Sequence, residues 1–169
     1  MNVLFHTTAA IGVIAIAVKP NDKVNSLFSN NSFRQGIITF VLGLISHGVL
    51  DFAPHCYPIN SKADAVISLI IMLLLCVLVK RRYTFAVGMA FLGSVFPDLI
   101  DLAPSILNSY LGTSIPEFSK LFPWHWHEYS GSIYSNQCGL SAINHTILIA
   151  AVTLIVWVKR KNLIQIFKI

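Results

Sequence analysis

Charge is what this sequence has least of. Asp, Glu, Lys and Arg make up 11% of its 169 residues, against 55% hydrophobic residues and a mean hydropathy of +0.69. An ordinary soluble domain carries about 25% charged residues, so that class is excluded. Glycine-rich phosphate loops, nucleophile elbows and dinucleotide-binding patterns are also missing, which removes P-loop, α/β-hydrolase and Rossmann chemistry. The three cysteines, Cys56, Cys76 and Cys138, have no zinc-finger spacing. No internal repeat, low-complexity tract or second domain is legible.

Apolar runs are what the sequence does have, at residues 3–18, 36–53, 64–79, 84–103 and 140–158. They predict an all-α fold: a polytopic membrane helical bundle of about five transmembrane helices, forming one integral membrane domain over residues 1–169. Several runs are at or below the roughly 20 residues that cross a hydrocarbon core of about 30 Å, so helix ends extend or the bilayer thins. A buried soluble bundle is the alternative, but no amphipathic stripe or sustained heptad supports it. "AIA" at 15–17 resembles a signal-peptide cleavage site. The segment before it lacks Lys and Arg and carries His6, so the first run is expected to stay as a span. Residues 19–35 form a polar connector and residues 104–139 one long loop.

The formal charge of +5 is confined to short basic clusters at the ends of apolar runs, such as "KRR" at 80–82 and "KRK" at 159–161. That distribution marks topology and argues against a nucleic-acid partner. With five spans, the 19–35 connector, the 80–83 turn and the C-terminal tail share one side. They hold Lys19, Lys23, Arg34, Lys80, Arg81, Arg82, Lys159, Arg160, Lys161 and Lys168, ten of the twelve basic residues. The positive-inside bias makes that side cytoplasmic, with the N-terminus out and the C-terminus in.

This topology, chosen on Lys and Arg alone, brings every histidine to the outer side. His6, His47 with Asp51, Asp98 with Asp101, and His145 lie near outer span ends, while His55, His125, His127 and Glu128 lie in adjoining outer loops. A position six residues inside a span is about 9 Å deep, so His6, His47, Asp98 and His145 can share one layer. His47 and Asp51 at i, i+4 face the same way, as do Asp98 and Asp101 at i, i+3. Pro54 and Pro97 interrupt the local helical bonding beside these acids, which lets His55 leave the helical line.

Carboxylates within a bilayer cost about 2.5–3.5 kcal/mol each at its centre and less near the interface, so Asp51, Asp98 and Asp101 need partners. No Lys or Arg lies in the outer halves of the spans, whereas imidazoles with a divalent cation would neutralise them. Mixed His/Asp ligands suit Zn2+, with Mn2+ or Fe2+ as substitutes, and zinc at an open site activates water near neutral pH. The metal-ligand candidates are His6, His47, Asp51, His55, Asp98, Asp101 and His145. Alternatives stand beside them: His6 and His145 as interhelical hydrogen-bonding groups, a plain His47–Asp51 hydrogen bond, and Asp98 as a helix or turn cap. In "FPWHWHEY", residues 122–129, the tryptophans also suit the membrane interface, while His125 or His127 completes the site and Glu128 is a candidate proton shuttle. Cys56 and Cys138 fall in outer loops where an oxidising compartment would allow a disulfide, and Cys76 reads as packing within a span.

The stretches "LFHTTAAIG", "SHGVLD", "LGSVFPDLID" and "INHTILIA" resemble the bacterial membrane-bound metal-dependent hydrolases of the YdjM-like family. More distantly, the early His, His-x-x-x-Asp and Gly-x-x-x-Pro-Asp are similar to features of zinc-dependent phospholipase C. The resemblance covers about a quarter of the chain. It implies metal roles for His6, His47, Asp51, Asp98 and Asp101 and a bacterial inner (plasma) membrane setting. The family's "HRGxTHS" stretch is missing, and "WHWHEY" and "NHT" substitute for it only in part. The leading expectation is therefore a zinc-dependent hydrolase with its site at the outer face, acting on an ester or phosphoester of a lipid or envelope substrate. A non-catalytic metal staple joining the spans is the second reading. A small ion transporter is the third, disfavoured because the inner halves of the spans carry almost no ionisable groups.

Overall fold

Helix α3, Ser61–Leu78, shows at once which solvent this protein is built for. Its buried residues are Asp64 and Ser68, while Val66, Leu69, Ile70, Leu73, Leu74 and Val77 are all exposed. In water that arrangement is inside out; against lipid tails it is the expected one. The computed structural model describes residues 1–20, 29–117, 119–134 and 138–168. Around α3 it places α1 (Val3–Ala17), α2 (Asn30–Phe52), α4 (Thr84–Asp101), α5 (Ala103–Leu111) and α6 (Gly139–Ile166), with no named β-strand among the described residues. The chain is thus an all-α membrane bundle, and the soluble-bundle alternative fails on its aliphatic exterior.

Among the described residues, four helical segments are long and apolar enough to cross a membrane: Asn30–Phe52, Ser61–Leu78, Arg81–Asp101 and Gly139–Ile166. The first expected span differs. Helix α1 has 15 residues, about 22 Å at 1.5 Å per residue, which is short for a core of about 30 Å. It sits among the others, packing on α2, α3, α4 and α6. Ala10, Ile14 and Ala15 are at most 1% exposed. Surrounded by protein, α1 has little need to match the bilayer. Small residues let its neighbours approach: a Cβ on Gly12 would meet Val152 of α6 at 3.3 Å.

The pair α2 and α4 carries the site, and it packs backbone against backbone. A Cβ on Gly43 would lie 2.6 Å from the Ala90 carbonyl oxygen, and one on Gly93 would lie 2.2 Å from that of Phe40. At both positions a side chain would force the helices apart. Between them the Thr39 hydroxyl donates to the Ala86 carbonyl at 2.7 Å, a buried cross-helix bond. Helix α2 ends at Phe52, just before Pro54, as the proline requires. By contrast α4 runs through Pro97 to Asp101, losing one backbone bond within its last turns.

The amino end of α1 is held by a residue of another helix. Asp64 accepts from the Val3 and Leu4 N–H groups at 2.8 and 2.9 Å, so α3 supplies the cap that α1 lacks in its own sequence. Asn2 adds a bond from its amide to the Ile59 carbonyl at 3.1 Å. Together they fix the height of His6, one turn further on. Asp64→Ala is expected to leave both donors unpaired and to cost about 1–3 kcal/mol, read as a lower unfolding temperature in detergent; an unchanged transition would remove this role.

At the opposite end of the bundle, backbone N–H groups of Lys80 and Lys168 donate to Ile166 and Leu78, tying α3 to the end of α6. Cys56 and Cys138 form a disulfide at the end that holds the histidines, with Cα atoms 5.9 Å apart. It ties the α2–α3 loop to the start of α6. Cys76 is a free, half-buried thiol on α3.

Candidate metal centre

His47, Asp51, Asp98 and His125 converge, each offering one ligand atom within 4.8 Å of the others. Three parts of the chain supply them. His47 and Asp51 are one turn apart on α2, with His47 Nε2 3.1 Å from Asp51 Oδ2. Asp98 projects from α4 one residue after Pro97, its Oδ1 3.6 Å from His47 Nε2. His125 comes from a short 3-10 turn, Pro123–His125, and its Nε2 lies 3.3 Å from Asp51 Oδ2 and 3.3 Å from Asp98 Oδ1. The Nε2 atoms of His47 and His125 are themselves 3.3 Å apart.

The other nitrogen of each ring is held from outside the group. His47 Nδ1 lies 2.7 Å from the Ser94 carbonyl oxygen, which can only accept. The proton is therefore on Nδ1, and the Nε2 lone pair faces the cluster. His125 Nδ1 lies 2.9 Å from Asp101 Oδ2 and is likewise committed. With His125 Nε2 unprotonated, two imidazole lone pairs and two carboxylate oxygens face one another, and either a proton on that nitrogen or a divalent cation among the four relieves the repulsion. Five of the six edges of this group measure 3.1–3.6 Å. A tetrahedron with metal bonds of about 2.0–2.1 Å has edges of about 3.3–3.4 Å, so the donor set fits zinc in both chemistry and size.

Asp101 has a different job from the ligand expected at that position. Besides His125 Nδ1, its carboxylate accepts from the Leu121 and Phe122 N–H groups at 2.9 and 3.0 Å. It thereby folds the loop that carries His125 and orients the ring from behind, as a carboxylate beside a metal-binding histidine does. Burial disfavours the charged imidazole of His125, but bonds to Asp51, Asp98 and Asp101 outweigh it and raise its pKa to about 9. A divalent cation at Nε2 would therefore compete with a proton.

His6 stands directly beside the group. Its ring stacks on His47 with centroids 3.9 Å apart, and its Nε2 is 3.2 Å from Asp51 Oδ1, the oxygen turned away from His47 and His125. The Met1 amino nitrogen reaches that same oxygen at 2.5 Å. His145 stacks on Phe5 at 3.8 Å and is next to this layer rather than in the group of four. His55 turns away: it lies 2.8 Å from the Ala53 carbonyl through Nδ1, and 3.1 and 3.2 Å from the Ser132 and Tyr57 hydroxyls through Nε2. Burial pushes its pKa down to about 4. His127 and Glu128 are exposed and lie outside the group.

Several supports of the site have little or no signature in the sequence. Trp124 packs over His47 with ring centroids 6.2 Å apart. Gly48 makes room for it, since a Cβ there would come within 2.9 Å of the indole. The Ser94 carbonyl was invisible because a backbone atom leaves no residue-type signal. The glycines of α2 and α4 are a sequence sign of close packing, whereas Asp64, an acid at a span end, carries no sequence sign of its bonds to α1. In comparisons with known proteins, the chain matches no family model, no curated protein and no solved structure.

Proposed function

We propose that this chain is a membrane-embedded, zinc-dependent hydrolase acting at the outer leaflet on an ester or phosphoester of a lipid or envelope substrate. One observation carries the reading: four acceptor atoms converge with both imidazoles already oriented from behind. The residues are largely those on which the resemblance to YdjM-like hydrolases rests. Mn2+ or Fe2+ would suit the same donors. A zinc ion there would polarise the scissile group and activate water near neutral pH.

The residues divide by exposure. His47, Asp51 and His125 are buried and would hold the ion; the Asp98 side chain is 19% exposed and forms the open edge. In this arrangement Asp98, within the group, would accept the proton of a metal-activated water in preference to Glu128, which is exposed and outside it. Access from the bilayer suits a lipid: Leu111, Tyr110 and Leu121 are exposed on the loop side of the site, and α5 follows directly on Asp101. The orientation has two supports, the basic clusters at the far end of the bundle and the Cys56–Cys138 disulfide, which needs an oxidising compartment at the histidine end.

Protein purified in detergent is expected to carry one or more divalent transition metals and to hydrolyse a member of a lipid ester and phosphoester panel. Asp98→Asn should keep metal and lose about 100-fold or more in turnover. One feature favours a second reading, a metal staple: four protein ligands make a closed set of the kind structural zinc sites use. A staple predicts no hydrolysis by the wild type and a lower unfolding temperature in Asp98→Asn.

A further inference from the structure

Lys120 is tied into the loop that delivers His125 at both its ends. Its ammonium donates to the His125 carbonyl at 2.8 Å, and its own carbonyl accepts from the Trp126 indole at 2.9 Å. The next two residues donate their N–H groups to Asp101. This places a cation beside a candidate metal ligand, at the end of the bundle where cations are scarce. Of the other described cations there, the Met1 ammonium is paired with Asp51, and Lys62 lies over the Tyr110 ring, 4.5 Å from its centroid. The remaining described Lys and Arg residues, from Lys19, Arg34 and Lys80 to Lys168, belong to the opposite end.

The charge of the site makes that cation informative. A divalent ion and the Met1 ammonium on Asp51 together balance Asp51, Asp98 and Asp101, the last behind His125. A neutral carboxylic ester would leave that balance unchanged, whereas an anionic phosphoester would bring uncompensated negative charge into the site. We propose that Lys120 receives a phosphate oxygen of the substrate, so that the site favours phosphoesters over neutral esters; this rests on the hydrolase reading. The exposed side chain lets the ammonium exchange a neutral carbonyl for a charged oxygen, which makes the stronger bond. Lysine serves as a point charge in such contacts, matching one oxygen while the metal takes another.

The test is calorimetry on zinc-loaded protein in nanodiscs of uncharged-net phosphatidylcholine, with inorganic phosphate and acetohydroxamate as separate probes. Lys120→Met is expected to weaken phosphate binding about tenfold or more, with Lys120→Arg restoring part of it. Zinc content and acetohydroxamate binding should not change. Phosphate binding at wild-type strength in Lys120→Met overturns the proposal. So does equal loss of both probes, which marks Lys120 as a tether of the loop. A wild type that holds zinc and binds acetohydroxamate but no phosphate overturns the proposal and leaves the metal site standing; a wild type without metal overturns the hydrolase reading as well. Competition with phosphate by phosphatidic acid in the nanodisc supports a lipid headgroup, and competition by soluble glycerol phosphate supports a free phosphoester. Competition by neither overturns the phosphoester class.

Discussion

Asp51→Ala is expected to empty the centre of metal and abolish turnover, whereas Asp101→Asn should keep a weakened site. The difference follows from where the two carboxylates sit. Asp51 Oδ2 is 3.1 and 3.3 Å from the two inward-facing imidazole nitrogens, while its Oδ1 faces His6. Removing it deletes a ligand and leaves three imidazoles around a hole. Asp101 touches the site through His125 Nδ1 alone, and an asparagine oxygen can still accept that bond and part of the loop's N–H bonds. Substitutions behind a metal ligand cost about 10–100-fold in affinity, so Asp101→Asn should shift zinc affinity within that range. Metal analysis of both purified variants, followed by competition with a chelator of known affinity, reads the two effects separately. Full metal content in Asp51→Ala would remove it as a ligand, and an Asp101→Asn protein indistinguishable from wild type would remove its positioning role.

The second large effect is expected from a residue that touches no ligand. Gly93→Ala would place a Cβ 2.2 Å from the Phe40 carbonyl oxygen, with the Phe40 carbonyl carbon at 2.9 Å. Backbone cannot swing aside as a side chain can, so α2 and α4 must separate by about 1 Å to reach ordinary contact. Ser94, the next residue, supplies the carbonyl that orients His47, and Asp98 lies about one turn further along α4. Separation therefore opens the ligand group as well as the packing. Overpacking of this kind costs about 1–3 kcal/mol and more where backbone must move, so a substantially lower unfolding temperature should accompany loss of zinc. Gly88→Ala is the internal control on the same helix, because a Cβ there meets nothing within 4 Å. Equal behaviour of the two variants would show that the close α2–α4 approach does not hold the site.

The hydrolase and staple readings separate on Asp98. Its partial exposure suits a group that meets substrate, and its Oδ1 at 3.3 Å from His125 Nε2 equally suits a fourth ligand. The Lys120 proposal is independent of that choice in its binding readout, since phosphate and acetohydroxamate report on the site without turnover.

What this protein's sequence determined by itself is everything that depends on periodicity and on which solvent each segment meets. Runs such as 64–79 and 140–158 have to be helices in lipid, because no other local structure satisfies their backbone there. Lys80, Arg81 and Arg82 mark one end of the bundle, and the same alternation of ends gathers His6, His47, Asp98 and His145 at the other. His47 and Asp51 share a face because of helical spacing alone. Tertiary structure decided the rest. It made α1 a short central helix instead of a lipid-facing span, since burial by four neighbours depends on packing that no single segment encodes. It brought His125 into the group and turned His55 away to Ser132 and Tyr57, because loops are positioned by long-range bonds such as those of Asp101 to Leu121 and Phe122. It moved Asp101 behind the site for the same reason. A carboxylate's role is set by which atoms lie within about 3 Å of it, and that distance is fixed by the whole fold rather than by its neighbours in the chain.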